Sequence, residues 1–148
     1  MTHITPLLIE KFKHSKQEFH HVCAFIGDET FMGDNDYRKK GMPVSCHAEI
    51  NVLRKILKKY GRNIKRPMCF DVVVIRISKS GKIGESRPCY HCIQTMLLFC
   101  EIIKIKNVFY STSDGTIVQE KLVDMLGSPK TTTSTGWRHR TGKSKYIN

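Results

Sequence analysis

Phe70-Asp71-Val72-Val73-Val74-Ile75-Arg76-Ile77 sets the architecture of this chain. At its centre stand four consecutive β-branched residues, whose stiff side chains suit a pleated surface better than a helix. They are apolar at successive positions rather than at alternate ones, the pattern of a strand covered on both faces. The run is therefore expected in the middle of a sheet.

The neighbouring segments supply the cover. From His47 to Tyr60, Ile50, Leu53, Ile56, Leu57 and Tyr60 recur at helical spacing, while Arg54, Lys55, Lys58 and Lys59 take the remaining surface. Gly61 stops this helix. Lys79-Ser80-Gly81-Lys82 turns the chain after the strand. Beyond Pro88, which a first helical turn tolerates, Ile93, Met96, Leu97, Cys100 and Ile103 again show helical spacing.

Further out, His21 to Ile26 reads as a strand ending at Gly27-Asp28, and Thr30-Phe31-Met32 as its hairpin partner. The polar segment Gly33 to Ser45 reads as a loop, and a weak pattern suggests a helix over about Ile4 to Gln17. Val108-Phe109-Tyr110 and Thr116-Ile117-Val118 flank Ser113-Asp114-Gly115, an Asp-Gly turn that predicts an antiparallel pair. Together these elements predict an α/β fold: a three-layer α/β/α sandwich on a mixed five-stranded sheet, its last two strands an antiparallel hairpin.

A chain of 148 residues, 40% hydrophobic and 26% charged, has the size and composition of one ordinary globular domain, which excludes wholesale disorder and fibrous repeats. No run approaches the roughly 18 apolar residues of a membrane span. The first residues lack the pattern of a secretory signal, so the expected location is cytoplasmic. Lys and Arg number 25 against 13 acids, and the resulting formal charge of +12 favours polyanions such as nucleic acid or nucleotides. Residues 1–126 read as the domain proper. Residues 127–148 read as a basic, partly ordered tail, with five Lys/Arg, no acid, and Trp137 beside Arg138 as a possible base-stacking group. The tail is expected to hold a phosphate backbone and to be dispensable for chemistry on a small substrate.

In a reducing compartment the six cysteines point to metal or catalysis rather than to disulfides. Cys23, Cys69 and Cys100 lie in apolar runs and are expected in the core. The other signal is a pair of motifs, His47-Ala48-Glu49 opening one helix and Pro88-Cys89-Tyr90-His91-Cys92 opening the next. His47, Cys89 and Cys92 supply the three protein ligands of a catalytic zinc, and Glu49 is a spare carboxylate for moving protons. A structural zinc completed by Cys46, or a redox-active Cys89–Cys92 pair, are the competing readings of the same residues.

H-x-E followed by P-C-x-x-C is the signature of zinc-dependent nucleobase deaminases. Over roughly His20 to Leu126 the chain resembles the cytidine and deoxycytidylate deaminase superfamily. Its histidine in the first ligand position is similar to the branch holding deoxycytidylate, tRNA adenosine and polynucleotide cytidine deaminases. The resemblance implies His47, Cys89 and Cys92 as zinc ligands and Glu49 as the proton shuttle. It also implies substrate contacts at Ala48, at Asn35 and at Tyr110. The implied reaction is hydrolytic deamination of a nucleobase, cytosine before the adenosine of tRNA, in a nucleoside, a nucleotide or a polynucleotide. Implied partners are RNA or single-stranded DNA and a second copy of the chain; a non-catalytic zinc-stabilised RNA binder is the alternative from another class.

Overall fold

The computed structural model describes residues 19–35, 47–61, 64–78, 80–133, 141–142 and 145–146. Its elements run β1 (Phe19–Ile26), β2 (Thr30–Asp34), α1 (Ala48–Tyr60), β3 (Met68–Ser78), β4 (Ile83–Gly84), α2 (Tyr90–Leu98), β5 (Ile103–Ser111), β6 (Ile117–Lys121) and α3 (Leu122–Met125). The main sheet path is β2-β1-β3-β5-β6, with β4 paired to β3 off the path. The β3–β5 pair is parallel and the other pairs are antiparallel. The sheet is thus mixed, and the valine-rich strand is central in it.

Alternation along β3 explains its composition. Phe70, Val72 and Val74 enter one buried cluster with Val52, Leu53 and Ile56 of α1, Ile93 and Met96 of α2, and Leu122 and Met125 of α3. Val73, Ile75 and Ile77 enter a second cluster on the opposite face with Val22 and Ala24 of β1. Each face needs its own apolar set, so successive residues must all be apolar. The helix expected over about 4–17 lies outside the described residues. Among the described residues, no helix is long and apolar enough to cross a membrane.

Between β1 and β2 the chain turns through Gly27, where a Cβ would stand 2.5 Å from the Cys69 carbonyl oxygen, so only glycine fits beside β3. The expected final hairpin forms. Its turn is closed by Thr112 N–H donating to the Thr116 carbonyl at 2.9 Å, with Gly115 at φ +86°. The Thr112 and Thr116 hydroxyls donate to Asp114 and hold its carboxyl down at about 2.

Three expectations are corrected. Among the described residues the sheet has six strands, because the two-residue β4 pairs Ile83 with Ile77 and Gly84 with Arg76; so short a strand leaves no period in a sequence. Helix α2 ends at Leu98, and Ile103, which continues its helical spacing, instead opens β5. Cys23 is buried as expected, but Cys69 and Cys100 are exposed. One stands near the open end of β3 and the other in the turn after α2, where apolar neighbours in sequence do not enclose a side chain.

Candidate metal centre

Two helix starts meet to build the site. His47 is the extended N-cap of α1 and Cys89 the extended N-cap of α2, with Cys92 in the first turn of α2. One ligand atom from each of His47, Cys89 and Cys92 lies within 4.8 Å of the others. His47 Nδ1 is 3.1 Å from Cys92 Sγ and 3.5 Å from Cys89 Sγ. Tetrahedral zinc with ordinary Zn–N and Zn–S bonds separates nitrogen from sulfur by about 3.6 Å, so the three donors fit the ion in both chemistry and spacing. No other group of three or more such donors forms among the described residues.

Glu49 lies on the buried stripe of α1, one turn before Val52 and Leu53, where the helical period calls for an apolar residue. It is 5% exposed, and the Cys92 thiol faces its Oε2 at 3.6 Å. Burial, then the nearby Cys89 sulfur, push its carboxyl above the usual range. A carboxyl placed there gives up its proton less readily than a solvated glutamate does.

The sulfurs divide their roles. A hydrogen bond from Cys92, followed by the His47 imidazole, holds Cys89 down at about 4. Cys92, whose proton serves Cys89 and which is fully buried, is pushed well up. The hydrogen bond with Cys89 raises His47 to about 8. The backbone amide of Cys92 in the first turn of α2 favours negative sulfur at Cys89 as well.

A clamp behind the cysteine turn escaped the sequence reading. Arg87, two residues before Cys89, donates from Nε to Glu120 on β6 at 2.8 Å and from a terminal nitrogen to the Thr131 hydroxyl at 2.9 Å. The Arg87 and Glu120 side chains are only 7% and 18% exposed. Tyr110 donates its hydroxyl to the same Glu120 at 2.5 Å, and burial followed by that carboxylate pushes the phenol up to about 12. Thr132 then offers its carbonyl to the first amide of α2, Tyr90 N–H, at 2.8 Å. Ser86 adds a further tie, giving its hydroxyl to the Val74 carbonyl and receiving Ser111 N–H.

Thr131 and Thr133 are buried, so part of the segment read as an accessory tail supports the ligand turn. Deleting residues 127–148 is accordingly expected to weaken zinc binding by roughly 10- to 100-fold, the usual cost of losing groups that orient metal ligands. Competition with a chromophoric chelator measures this; unchanged affinity would show that the tail does not support the site. Trp137 lies outside the described residues, as does Cys46.

The remaining expected site residues fall in different places. Ala48 is fully buried beside His47. Asn35 is buried at the end of β2, exchanging two hydrogen bonds of 3.0 Å with the backbone of His21. Beside it, Asn51 of α1 donates to the Asp34 carbonyl at 2.7 Å. Asn35 and Asn51 both line a cleft that the metal donors do not line.

Neither a protein family nor a curated protein sequence matches the chain. Solved structures do. The chain is similar to a cytidine deaminase from Burkholderia pseudomallei, with 22% identity and a TM-score of 0.55 over 84% of this chain and 95% of that one. It is also similar to a cytidine deaminase from Mycobacterium leprae, with 15% identity and a TM-score of 0.49 over 83% and 93% of the two chains. At the first of these similarities the likeness is one of fold: the mixed sheet and its helices are those of a cytidine deaminase, and a His/Cys/Cys group fit for zinc is built upon them.

Proposed function

We propose that this protein catalyses zinc-dependent hydrolytic deamination of a nucleobase, with cytosine converted to uracil and ammonia released. One observation carries the reading: a buried carboxyl, Glu49, stands against a three-donor metal group that it is not needed to complete. A structural zinc takes a fourth protein ligand and a redox pair needs no histidine, whereas three donors among the described residues beside a buried carboxyl suit hydrolysis.

His47, Cys89 and Cys92 would hold the zinc, which when bound would supply an acidified water. Glu49 takes a proton from that water and delivers it to the ring nitrogen next to the amino-bearing carbon. It then carries the second proton to the departing amine, so that water and the aminopyrimidine leave as the oxo base and ammonia. The depth of Glu49 in the fold keeps the proton on this path rather than in bulk water. The backbone at Ala48 is assigned to the base and Asn35 to the sugar side. Tyr110 is buried inside the Arg87 and Glu120 clamp, and the neighbouring nucleotide is assigned to the side of the site that this clamp supports.

Ammonia release from zinc-loaded protein tests the reading, using cytidine, deoxycytidine, their monophosphates, a cytosine oligonucleotide and the adenine counterparts. Release from cytosine compounds is expected. Silence across the panel would overturn deamination, and release from adenine alone would overturn the assigned base.

A further inference from the structure

The outer face of α1 carries a second feature. Asn51, Arg54, Lys55 and Lys58 follow one another at helical spacing and line a cleft of about 400 Å³ closed by Gly33, Asp34 and Asn35 at the end of β2. Glu49 belongs to the opposite, buried stripe of the same helix, and none of the metal donors lines the cleft. Lys58 stands nine residues beyond Glu49, about 13 Å along the axis at 1.5 Å per residue.

Three cations line this cleft against a single carboxylate among the described lining residues, Asp34. Arg54 and Lys58 are four apart and so lie on one face of the helix. Lys59, which does not line the cleft, is paired with Glu29 and lies over the Phe31 and Tyr60 rings. Lys55 is held at the cleft wall by donating to the Met32 carbonyl at 2.7 Å. At the floor, a Cβ on Gly33 would come within 3.1 Å of the Val52 side chain and 3.7 Å of Lys55 Nζ, so a larger residue would intrude on the space beneath the cations.

We propose that this cleft binds backbone phosphate of a single-stranded polynucleotide. The choice of nucleic acid among polyanions rests on the deaminase reading, which supplies the nucleobase. The polymer follows from placement: Asn35, assigned to the sugar of the processed nucleotide, lines the cleft beside Asn51, and Lys58 lies two helical turns, about 10 Å, further along α1, so a phosphate at Lys58 belongs to a neighbouring nucleotide.

Fluorescence anisotropy with the full chain and a labelled thymidine-only single strand tests this. Thymine has no exocyclic amine, so binding is read without turnover, and a failed ammonia assay leaves the binding result intact. The combined R54Q and K58Q variant is expected to bind roughly tenfold more weakly, and its log affinity against log salt should flatten by about 0.7 for each lost phosphate contact. The combined K104Q and K106Q variant removes the same charge from exposed positions on β5 and should bind as the parent does. Equal losses in the two variants would reduce the effect to net charge and overturn the site. Unchanged binding in R54Q/K58Q, or no binding by the parent, would overturn it directly. Competition by thymidine monophosphate as effective per phosphate as the strand would overturn the polymer, and equal competition by polyglutamate would overturn phosphate as the ligand.

Discussion

Glu49→Gln is expected to retain zinc and fold while losing at least about 100-fold in turnover, the usual scale for removing a general acid/base. Glutamine keeps the shape and a hydrogen-bonding oxygen toward Cys92, so the packing around α1 has little reason to change. It cannot take up and return a proton. Burial already raises the Glu49 carboxyl, so the substitution also removes a group that is costly to ionise there, and thermal stability should hold or rise slightly. Steady-state ammonia release, zinc content and melting temperature on one preparation separate these effects. Undiminished turnover would take the proton-shuttle role from Glu49; loss of zinc along with turnover would instead make it a structural support of the ligands.

The sequence made the centre of the fold legible because burial on both faces demands apolar residues at consecutive positions, and β3 has them. Helix α1 was legible in type and only roughly in phase. Leu53 and Ile56 of the expected apolar set lie on its buried stripe with Ala48, Glu49 and Val52, while Ile50, Leu57 and Tyr60 pack against the same core but are only partly buried. The stripe is set by where the helix meets β1 and β2, which periodicity alone does not specify. Cys69 and Cys100 mislead for a related reason: residue type records a preference for the interior, whereas exposure at a strand end or a turn is decided by what lies across from it.

At the site, His47, Glu49, Cys89 and Cys92 were legible because two short motifs place them at helix starts, where the chain exposes amides and turns its side chains toward a common point. The clamp behind them was not. Arg87 reaches Glu120 across 33 residues and Thr131 across 44, and each is an ordinary polar residue in its local setting. Only the pairing of β5 with β6 and the return of the chain past α2 bring them together. From sequence the segment around Thr131 is therefore only part of a basic, partly ordered tail, and the fold supplies its partners.

Cys92→Ser should show the largest change in stability. The serine hydroxyl is close to the thiol in size but is a weak zinc ligand, and two protein donors hold the ion far less well than three. Zinc free energies in small structural sites reach about 10 kcal/mol or more, comparable to the whole stability of a domain, so losing the ion takes away a large share of what holds the two helix starts together. The variant is expected to contain little zinc and to melt at least about 10 °C below the parent. Chelator treatment of the parent should lower its melting temperature by a similar amount, and zinc added back should restore the parent but not the variant. Cys69 and Cys100 provide the contrast: both are exposed and stand outside the donor group, so serine at either should leave zinc content and melting unchanged. If Cys92→Ser kept a full equivalent of zinc, the ion would be held by other ligands; if it lost zinc with no fall in melting temperature, the centre would serve chemistry without supporting the fold, and the coupling of metal to α1 and α2 would have to be abandoned.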